Sequence, residues 1–164
     1  MKIIEILRFF EEYGGIVLFI LMFLECLNIP GFPGGYTAIA AGIAVRLKSM
    51  NFIEAYIISV IASVLSMLLL YLLCKLFHEP IERYFNKTEK RKNLFKRATN
   101  IVQKHGFRGV FISRLIPILR TFISIPAGIL SMNLINYSIS SLLGTSIYVF
   151  LNIGAGYFLT SFFI

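Results

Sequence analysis

Long apolar runs alternate along the chain with short interruptions of charges, prolines and glycines. Residues 55–77 form the clearest run, and its only charge is Lys75 near the end. Because about 20 apolar residues suffice to cross the hydrocarbon core of a bilayer, this run predicts a transmembrane helix, and the charge-free residues 137–164 predict a second. Small residues that let another helix approach closely lie in both runs. They are Ser59, Ala62, Ser63 and Ser66 in the first, and Gly144, Gly154 and Gly156 in the second.

A shorter pattern precedes the first span. Residues 1–13 mix apolar and charged positions as an amphipathic helix at the membrane interface does, and Gly14-Gly15 is predicted to end that helix. The apolar runs 16–24 and 36–45 are each too short to cross a bilayer. Between them the chain carries Pro30, Pro33, Gly34 and Gly35. Because broken backbone at membrane depth is tolerated only where protein buries it or where it lines a cavity, two short limbs around a break predict a re-entrant hairpin.

A second broken segment carries two arginines, Arg114 and Arg120, among apolar residues. Proline lacks the N–H that a helical hydrogen bond requires, so Pro117 and Pro126 are predicted to interrupt the helix, and Gly128 follows them. In an unbroken helix the two arginines would lie about 120° apart around the axis. A break at Pro117 can bring them together around one anion. This segment therefore predicts a second re-entrant hairpin and a candidate binding site.

The order of elements is the same in the two halves of the chain, a broken hairpin followed by a span. We therefore predict two repeats, residues 1–77 and 106–164, joined by residues 78–105. Each repeat has a small pair after its break, Ala41-Gly42 and Ala127-Gly128. Since an odd number of crossings separates the halves, they are inverted with respect to the membrane. The predicted fold is one all-α integral membrane domain of two inverted repeats, each with a re-entrant broken-helix hairpin and a spanning helix, plus amphipathic interfacial helices.

Charge is concentrated in the segment between the repeats. The chain has a net charge of +8, and residues 78–105 hold eight Lys/Arg against three Glu. Basic loops favour the cytoplasmic side, so this segment predicts a cytoplasmic loop of a multi-pass protein of the cytoplasmic membrane and not a nucleic-acid site. Phe95, Ile101 and Val102 indicate a surface helix within it. The two cysteines, Cys26 and Cys74, lie in apolar surroundings, and we expect no disulfide, metal or cofactor.

Besides Lys75 near the end of the first span, three charged residues fall where the pattern predicts membrane: Glu25, Arg114 and Arg120. A charge at the bilayer centre costs about 2.5–3.5 kcal/mol on insertion scales, so these side chains need partners or water. Arginine grips phosphate oxygens with its planar fork, which suits a phosphate headgroup. Alternatively, Glu25 and the arginines only neutralise one another as a buried ionic lock. An ion antiporter titrating Glu25 is a further alternative. A lipid-phosphate enzyme is disfavoured because the only histidines, His78 and His105, flank the basic segment.

The two broken segments resemble the DedA family, also called the SNARE-associated or VTT-domain family. The family signature is R-x-x-P-x-x-R followed by Ala-Gly. The matching residues here are Arg114, Pro117, Arg120, Ala127 and Gly128. The first broken segment resembles a second family motif, E-x4-P-x2-P-G-[ED], through Glu25, Pro30, Pro33 and Gly34. The resemblance runs from about residue 14 to residue 156, but Gly35 stands where family members usually have an acid.

The resemblance implies a lipid translocase, such as a flippase or scramblase, and not an enzyme. Bacterial members are linked to recycling of undecaprenyl phosphate or to movement of phosphatidylethanolamine, and eukaryotic relatives are phospholipid scramblases. Together with the chemistry of arginine, this leads us to expect that Arg114, Arg120 and Glu25 form the substrate site, with phosphate-headgroup lipids of the bilayer as partners. A homo-oligomer stays open. The family's hairpin acids are associated with proton coupling, which Gly35 puts in question here.

Overall fold

The computed structural model describes residues 2–27, 36–47, 50–81 and 89–163. Within these ranges the chain is helical and has no strand, which confirms the all-α class. Seven helices of six residues or more follow one another in the described residues. They are α1 (Lys2–Cys26), α2 (Tyr36–Arg46), α3 (Phe52–Leu76), α4 (Glu89–Leu115), α5 (Pro117–Phe122), α6 (Ser124–Ile129) and α7 (Leu134–Phe163). The predicted break residues Pro30, Pro33, Gly34 and Gly35 lie outside the described residues.

Helices α3 and α7 are long and apolar enough to cross a membrane, and no other helix of the described ranges is. The small residues predicted to form a packing face on α3 are buried: Ser59, Ala62, Ser63 and Ser66. Large apolar side chains are exposed instead, namely Ile53, Ile57, Ile61, Leu65, Leu69, Leu72 and Leu76. A helix of a water-soluble protein has the opposite arrangement. The exposed face of α3 therefore suits contact with lipid.

Helix α1 runs without interruption through Gly14-Gly15, so the predicted end of the helix there is wrong. A glycine in a helix costs only about 1 kcal/mol relative to alanine, which packing can offset. Leu18 and Met22 are buried on α1, and a Cβ on Gly15 would lie 3.1 Å from the Cδ1 atom of Ile58 on α3. The absence of a side chain at Gly15 therefore allows α1 to lie close to α3, and the glycine pair does not break α1.

The chain divides into two compact units, of which the first comprises Met1–Ser63 and Ser146–Ile164. Its apolar core comes from α1, α2, the first part of α3 and the last part of α7. The buried members are Leu18, Met22, Ala38, Ala41, Ala55, Ala62, Tyr148, Val149 and Ile153. Helices α2 and α7 touch through their backbones, because a Cβ on Gly42 or on Gly156 would lie 2.1 Å from a backbone oxygen of the other helix. A Cβ on Gly154 would meet no described atom within 4 Å, so the predicted close approach there is wrong.

The second unit is Val64–Thr145. Its main core joins parts of α3, α4, α6 and α7 through Tyr71, Ala98, Val102, Val110, Ile123, Ala127 and Tyr137. Helix α4 contains much of the segment predicted as a basic loop, and the surface helix predicted there is present. Ala98 and Val102 are buried on it, while Lys96, Arg97 and Lys104 are exposed. The apolar positions of a largely basic segment thus suffice to dock it on the rest of the unit.

Candidate functional site

Two departures from helical backbone flank the last part of α4. Gly106 has φ 46° and ψ −119°, a conformation that essentially only glycine adopts. Ile116 is extended, with φ −98° and ψ 119°, because a following proline disfavours the helical conformation. Pro117 then starts α5, where its missing N–H sacrifices no helical hydrogen bond. The helix is therefore interrupted at Ile116, between the two arginines.

Arg114 lies in the last turn of α4 and is fully buried. Its Nη1 atom donates to the backbone carbonyl oxygen of Arg120. Its Nη2 atom lies within hydrogen-bond distance of three hydroxyl oxygens, those of Ser124 at 3.1 Å, Tyr137 at 2.7 Å and Ser141 at 3.0 Å. Both terminal nitrogens of the guanidinium are therefore engaged with protein oxygens, and these oxygens come from α5, α6 and α7.

Tyr137 extends this network to α3. Its hydroxyl oxygen lies 2.8 Å from Oγ of Ser124 and 3.1 Å from the backbone carbonyl oxygen of Met67. Its ring stacks on the ring of Tyr71 with centroids 4.6 Å apart. The Cζ atom of Arg114 lies 5.4 Å from the centroid of the Tyr137 ring, so the cation also faces an aromatic surface.

The hydrogen-bond partners of Arg114 are neutral throughout the part of the chain that the structure describes. Its third nitrogen, Nε, makes no hydrogen bond to any described residue. Hydroxyl and carbonyl dipoles solvate a buried cation but do not cancel its charge, and the field of such a charge is stronger in a low-dielectric interior than in water. The hydrogen-bond partners of Arg114 therefore solvate its positive charge without neutralising it.

Arg120 lies on α5 and is 1% exposed. Its backbone N–H donates to the carbonyl oxygen of Ile116 at 2.9 Å, and its own carbonyl accepts the bond from Arg114. Pro126 and Gly128 are both buried on α6. Pro126 is the third residue of that helix, where no helical hydrogen bond is lost. The motif thus folds as two short helices in succession after the interruption.

Two glycines allow helices to touch around the network. A Cβ on Gly144 of α7 would lie 2.6 Å from Cβ of Arg114 and 2.9 Å from the carbonyl oxygen of Phe111. The predicted close approach at Gly144 is confirmed. A Cβ on Gly128 of α6 would lie 2.5 Å from the carbonyl oxygen of Tyr71 on α3. Side chains at either position would push apart the helices that carry the network.

Glu25 belongs to the first unit and lies in the last turn of α1, where it is 4% exposed. Its carboxylate accepts a hydrogen bond from the hydroxyl of Thr37 in the first turn of α2. This contact ties the end of α1 to the start of α2. The pairing of Glu25 with Arg114 or Arg120 stays a prediction.

The sequence pattern did not single out Tyr137, Ser141 or Ser124 as site residues. One signal could have found two of them, because Tyr137, Ser141 and Thr145 follow one another every four residues in a charge-free span. Polar residues at that spacing form a stripe along one helix face. All three are buried. Ser124 stands alone in its segment and gives no comparable pattern.

Comparison with known proteins agrees with these observations. Residues 32–158 match the VTT domain. The chain is 34% identical to "Undecaprenyl phosphate transporter A" of Staphylococcus aureus (strain NCTC 8325 / PS 47) over 88% of this chain and 73% of that protein. It is 27% identical to "Protein DedA" of Escherichia coli (strain K12) over 90% of this chain and 70% of that protein. It is 29% identical to "Alkaline phosphatase-like protein" of Lactococcus lactis subsp. cremoris (strain MG1363) over 93% of this chain and 73% of that protein. No solved structure gives a significant match. Because the VTT domain covers most of its length, the chain belongs to the VTT-domain family, the DedA family of membrane proteins.

Proposed function

We propose that the chain is a lipid translocase that moves a phosphate-headgroup lipid across the cytoplasmic membrane, in which it is a multi-pass protein. The observation that carries this proposal is the pair of buried arginines on either side of the interruption at Ile116. Arginine carries its charge at every physiological pH, and its fork matches phosphate oxygens. A cationic site inside an otherwise apolar protein gives the phosphate headgroup a positively charged partner while it crosses the membrane, and the lipid tail stays in the bilayer.

The substrate that we favour is undecaprenyl phosphate, with phosphatidylethanolamine as the second candidate. The relative from Staphylococcus aureus is named for undecaprenyl phosphate transport. The similarities support a transporter and not an enzyme, because the relative with a phosphatase-like name is less similar, at 29% against 34% identity. Hydrolysis also needs a base beside the arginines. Both histidines, His78 and His105, are exposed and lie outside the arginine network.

We propose further that the fold is built from two inverted repeats, each with a re-entrant hairpin. The same construction occurs in each unit and supports this. The Ala41-Gly42 pair of α2 packs on α7, and the Ala127-Gly128 pair of α6 packs on α3. Gly42 approaches Ile153 and Gly128 approaches Tyr71, and each of these is the twentieth residue of its helix. The hairpin of each repeat thus packs on the spanning helix of the other, as a duplicated unit predicts.

In this proposal Glu25 is the counter-charge that a lipid phosphate displaces from an arginine. Carboxylates within membrane segments are rare, and they are retained where a positive partner or a proton offsets their charge. Carboxylates within membrane segments mark ion pathways, so the burial of Glu25 also supports a second candidate function, ion antiport.

Reconstituted vesicles test the proposal directly. The purified chain should flip undecaprenyl phosphate faster than undecaprenol, which has the same tail without the phosphate. Arg120→Lys keeps the charge but loses the planar fork, so flipping should fall about tenfold or more, the worth of one charge-assisted hydrogen bond. Arg97→Lys is the matched control, since Arg97 is exposed on α4, and it should flip like the parent.

The same vesicles separate the alternatives. Phosphatidylethanolamine is tested in parallel, cation flux is followed with an internal dye, and release of inorganic phosphate is measured. Equal flipping of the lipids with and without phosphate would refute the proposal. Cation flux without lipid movement, abolished in Glu25→Gln, would favour the antiporter.

A further inference from the structure

The protein itself holds the side chain of Arg114. Both terminal nitrogens of Arg114 donate to protein oxygens, namely the Arg120 carbonyl and the hydroxyls of Ser124, Tyr137 and Ser141. A phosphate that took both nitrogens would leave these acceptors buried without their donor. Bidentate capture of a headgroup by Arg114 would therefore dismantle the network around it.

That network joins the helices on both sides of the interruption. Arg114 lies on α4, and its acceptors lie on α5, α6 and α7. The hydroxyl of Tyr137 reaches the Met67 carbonyl of α3. Helices α5 and α6 have only six residues each, too short to be stable through their own hydrogen bonds. Contacts with the surrounding helices must fix where α5 lies, and the bond from Arg114 to the Arg120 carbonyl is one of them.

We propose that Arg114 is a positioning residue, held by Tyr137 and Ser141, and that Arg120 is the arginine that contacts the phosphate headgroup. Arg114 fixes the place of α5, and α5 carries Arg120. This inference rests on the proposed function, because it divides the roles within the same site. It also makes Tyr137 and Ser141 part of the transport machinery although neither touches the lipid.

Thermal unfolding in detergent, with and without added undecaprenyl phosphate, separates the two roles. A lipid that binds the folded protein raises its Tm. Arg114→Lys should lower the Tm of the lipid-free protein but keep the rise on adding undecaprenyl phosphate. Arg120→Lys should lose most of that rise. Undecaprenol is the control lipid and should raise the Tm equally in the parent and in both variants.

Flipping kinetics test the positioning role with a milder change. Tyr137→Phe removes one hydroxyl and keeps the ring stack on Tyr71. At a temperature well below its Tm, the variant should lower the maximal flipping rate roughly tenfold without changing the lipid concentration at half-maximal rate. Ser141→Ala should act in the same direction, and the double variant should be less impaired than the product of the two effects. Ser138→Ala is the control on the same helix, since the Ser138 hydroxyl bonds the Leu134 carbonyl, and it should match the parent.

Three results would overturn the inference. One is loss of the lipid-induced Tm rise in Arg114→Lys, whether or not Arg120→Lys also loses it. The second is an unchanged rise in Arg120→Lys, and the third is parental flipping by Tyr137→Phe. A parent that neither flips nor responds to any phosphate lipid would instead refute the proposed function itself, and that outcome is recognised before any variant is made.

Discussion

A single buried arginine organises the polar interior of the second unit. Removing the donor of a buried acceptor costs about 1–3 kcal/mol, whereas making the same bond gains only about 1 kcal/mol net. Losing Arg114, or one of the hydroxyls around it, should therefore cost more stability than the individual hydrogen bonds contribute. In a low-dielectric interior such networks strengthen cooperatively, so we expect this one to be kept or lost largely as a whole.

Tyr71 lies next to this network, and a substitution there gives a further prediction. Its hydroxyl donates to the carbonyl oxygen of Met132, and its ring stacks on Tyr137. Tyr71→Phe keeps the stack and removes the donor, so the free energy of unfolding should fall by about 1–2 kcal/mol. Thermal unfolding in detergent measures this loss. Tyr56→Phe, at a half-buried ring of the first unit, should leave the Tm close to that of the parent, and an equal Tm in Tyr71→Phe would contradict the prediction.

The arginines could be predicted from the sequence, but their surroundings could not. Arg114 and Arg120 stand out because charge is costly within an apolar segment. A serine or a tyrosine in a span is far less costly, so neither Ser124 nor Tyr137 attracts notice by itself. Only the path of the chain shows that residues 10, 23 and 27 positions after Arg114 converge on its guanidinium.

At the scale of helices, glycines decide which elements touch. The sequence cannot distinguish a glycine that ends a helix from one that admits a neighbour, because both lack a side chain. Gly14-Gly15 lies within α1, where the pattern predicted an end, and Gly15 faces Ile58 of α3. Gly144 and Gly154 both lie on α7, yet among the described residues only Gly144 meets another helix. The backbone of the neighbour makes this difference, and local sequence does not encode it.

These two glycines form a matched pair for measurement. An alanine methyl at position 144 would lie 2.6 Å from Cβ of Arg114, so Gly144→Ala should cost about 1–3 kcal/mol through overpacking. The space beside Gly154 is open among the described residues. Gly154→Ala should therefore stabilise the helix by up to about 1 kcal/mol through higher helix propensity. Thermal unfolding of the two variants should shift in opposite directions, and a Gly144→Ala variant as stable as the parent would exclude the packing described.

At the scale of the whole molecule, hydropathy predicted both long helices closely. The predicted spans 55–77 and 137–164 correspond to Phe52–Leu76 and Leu134–Phe163. Agreement is good because a long apolar run in lipid must satisfy all its backbone hydrogen bonds internally, which leaves the helix as its only solution. The short limbs carry no such constraint, and their placement in the membrane remains a proposal.

Membrane topology gives a prediction at this scale. The basic segment should be cytoplasmic, which places Asn51, just before α3, on the outer side. In intact cells a membrane-impermeant thiol reagent should label Asn51→Cys and should not label Asn93→Cys on α4. Cys26 and Cys74 are buried, so the parent chain should give a low background. The reverse labelling pattern would invert the topology.

The exposed apolar face of α3 is longer than the hydrocarbon layer of a typical bilayer is thick. From Ile53 to Leu76 its exposed side chains extend about 35 Å along the helix axis, whereas the hydrocarbon layer of a typical bilayer is about 30 Å thick. A helix whose apolar length exceeds the thickness of the hydrocarbon layer must tilt, here by roughly 30°, or thicken the bilayer around it. Thicker bilayers relieve this mismatch. Translocation should therefore depend on acyl-chain length, with faster flipping in vesicles of longer-chain lipids than in vesicles of short-chain lipids with the same headgroups.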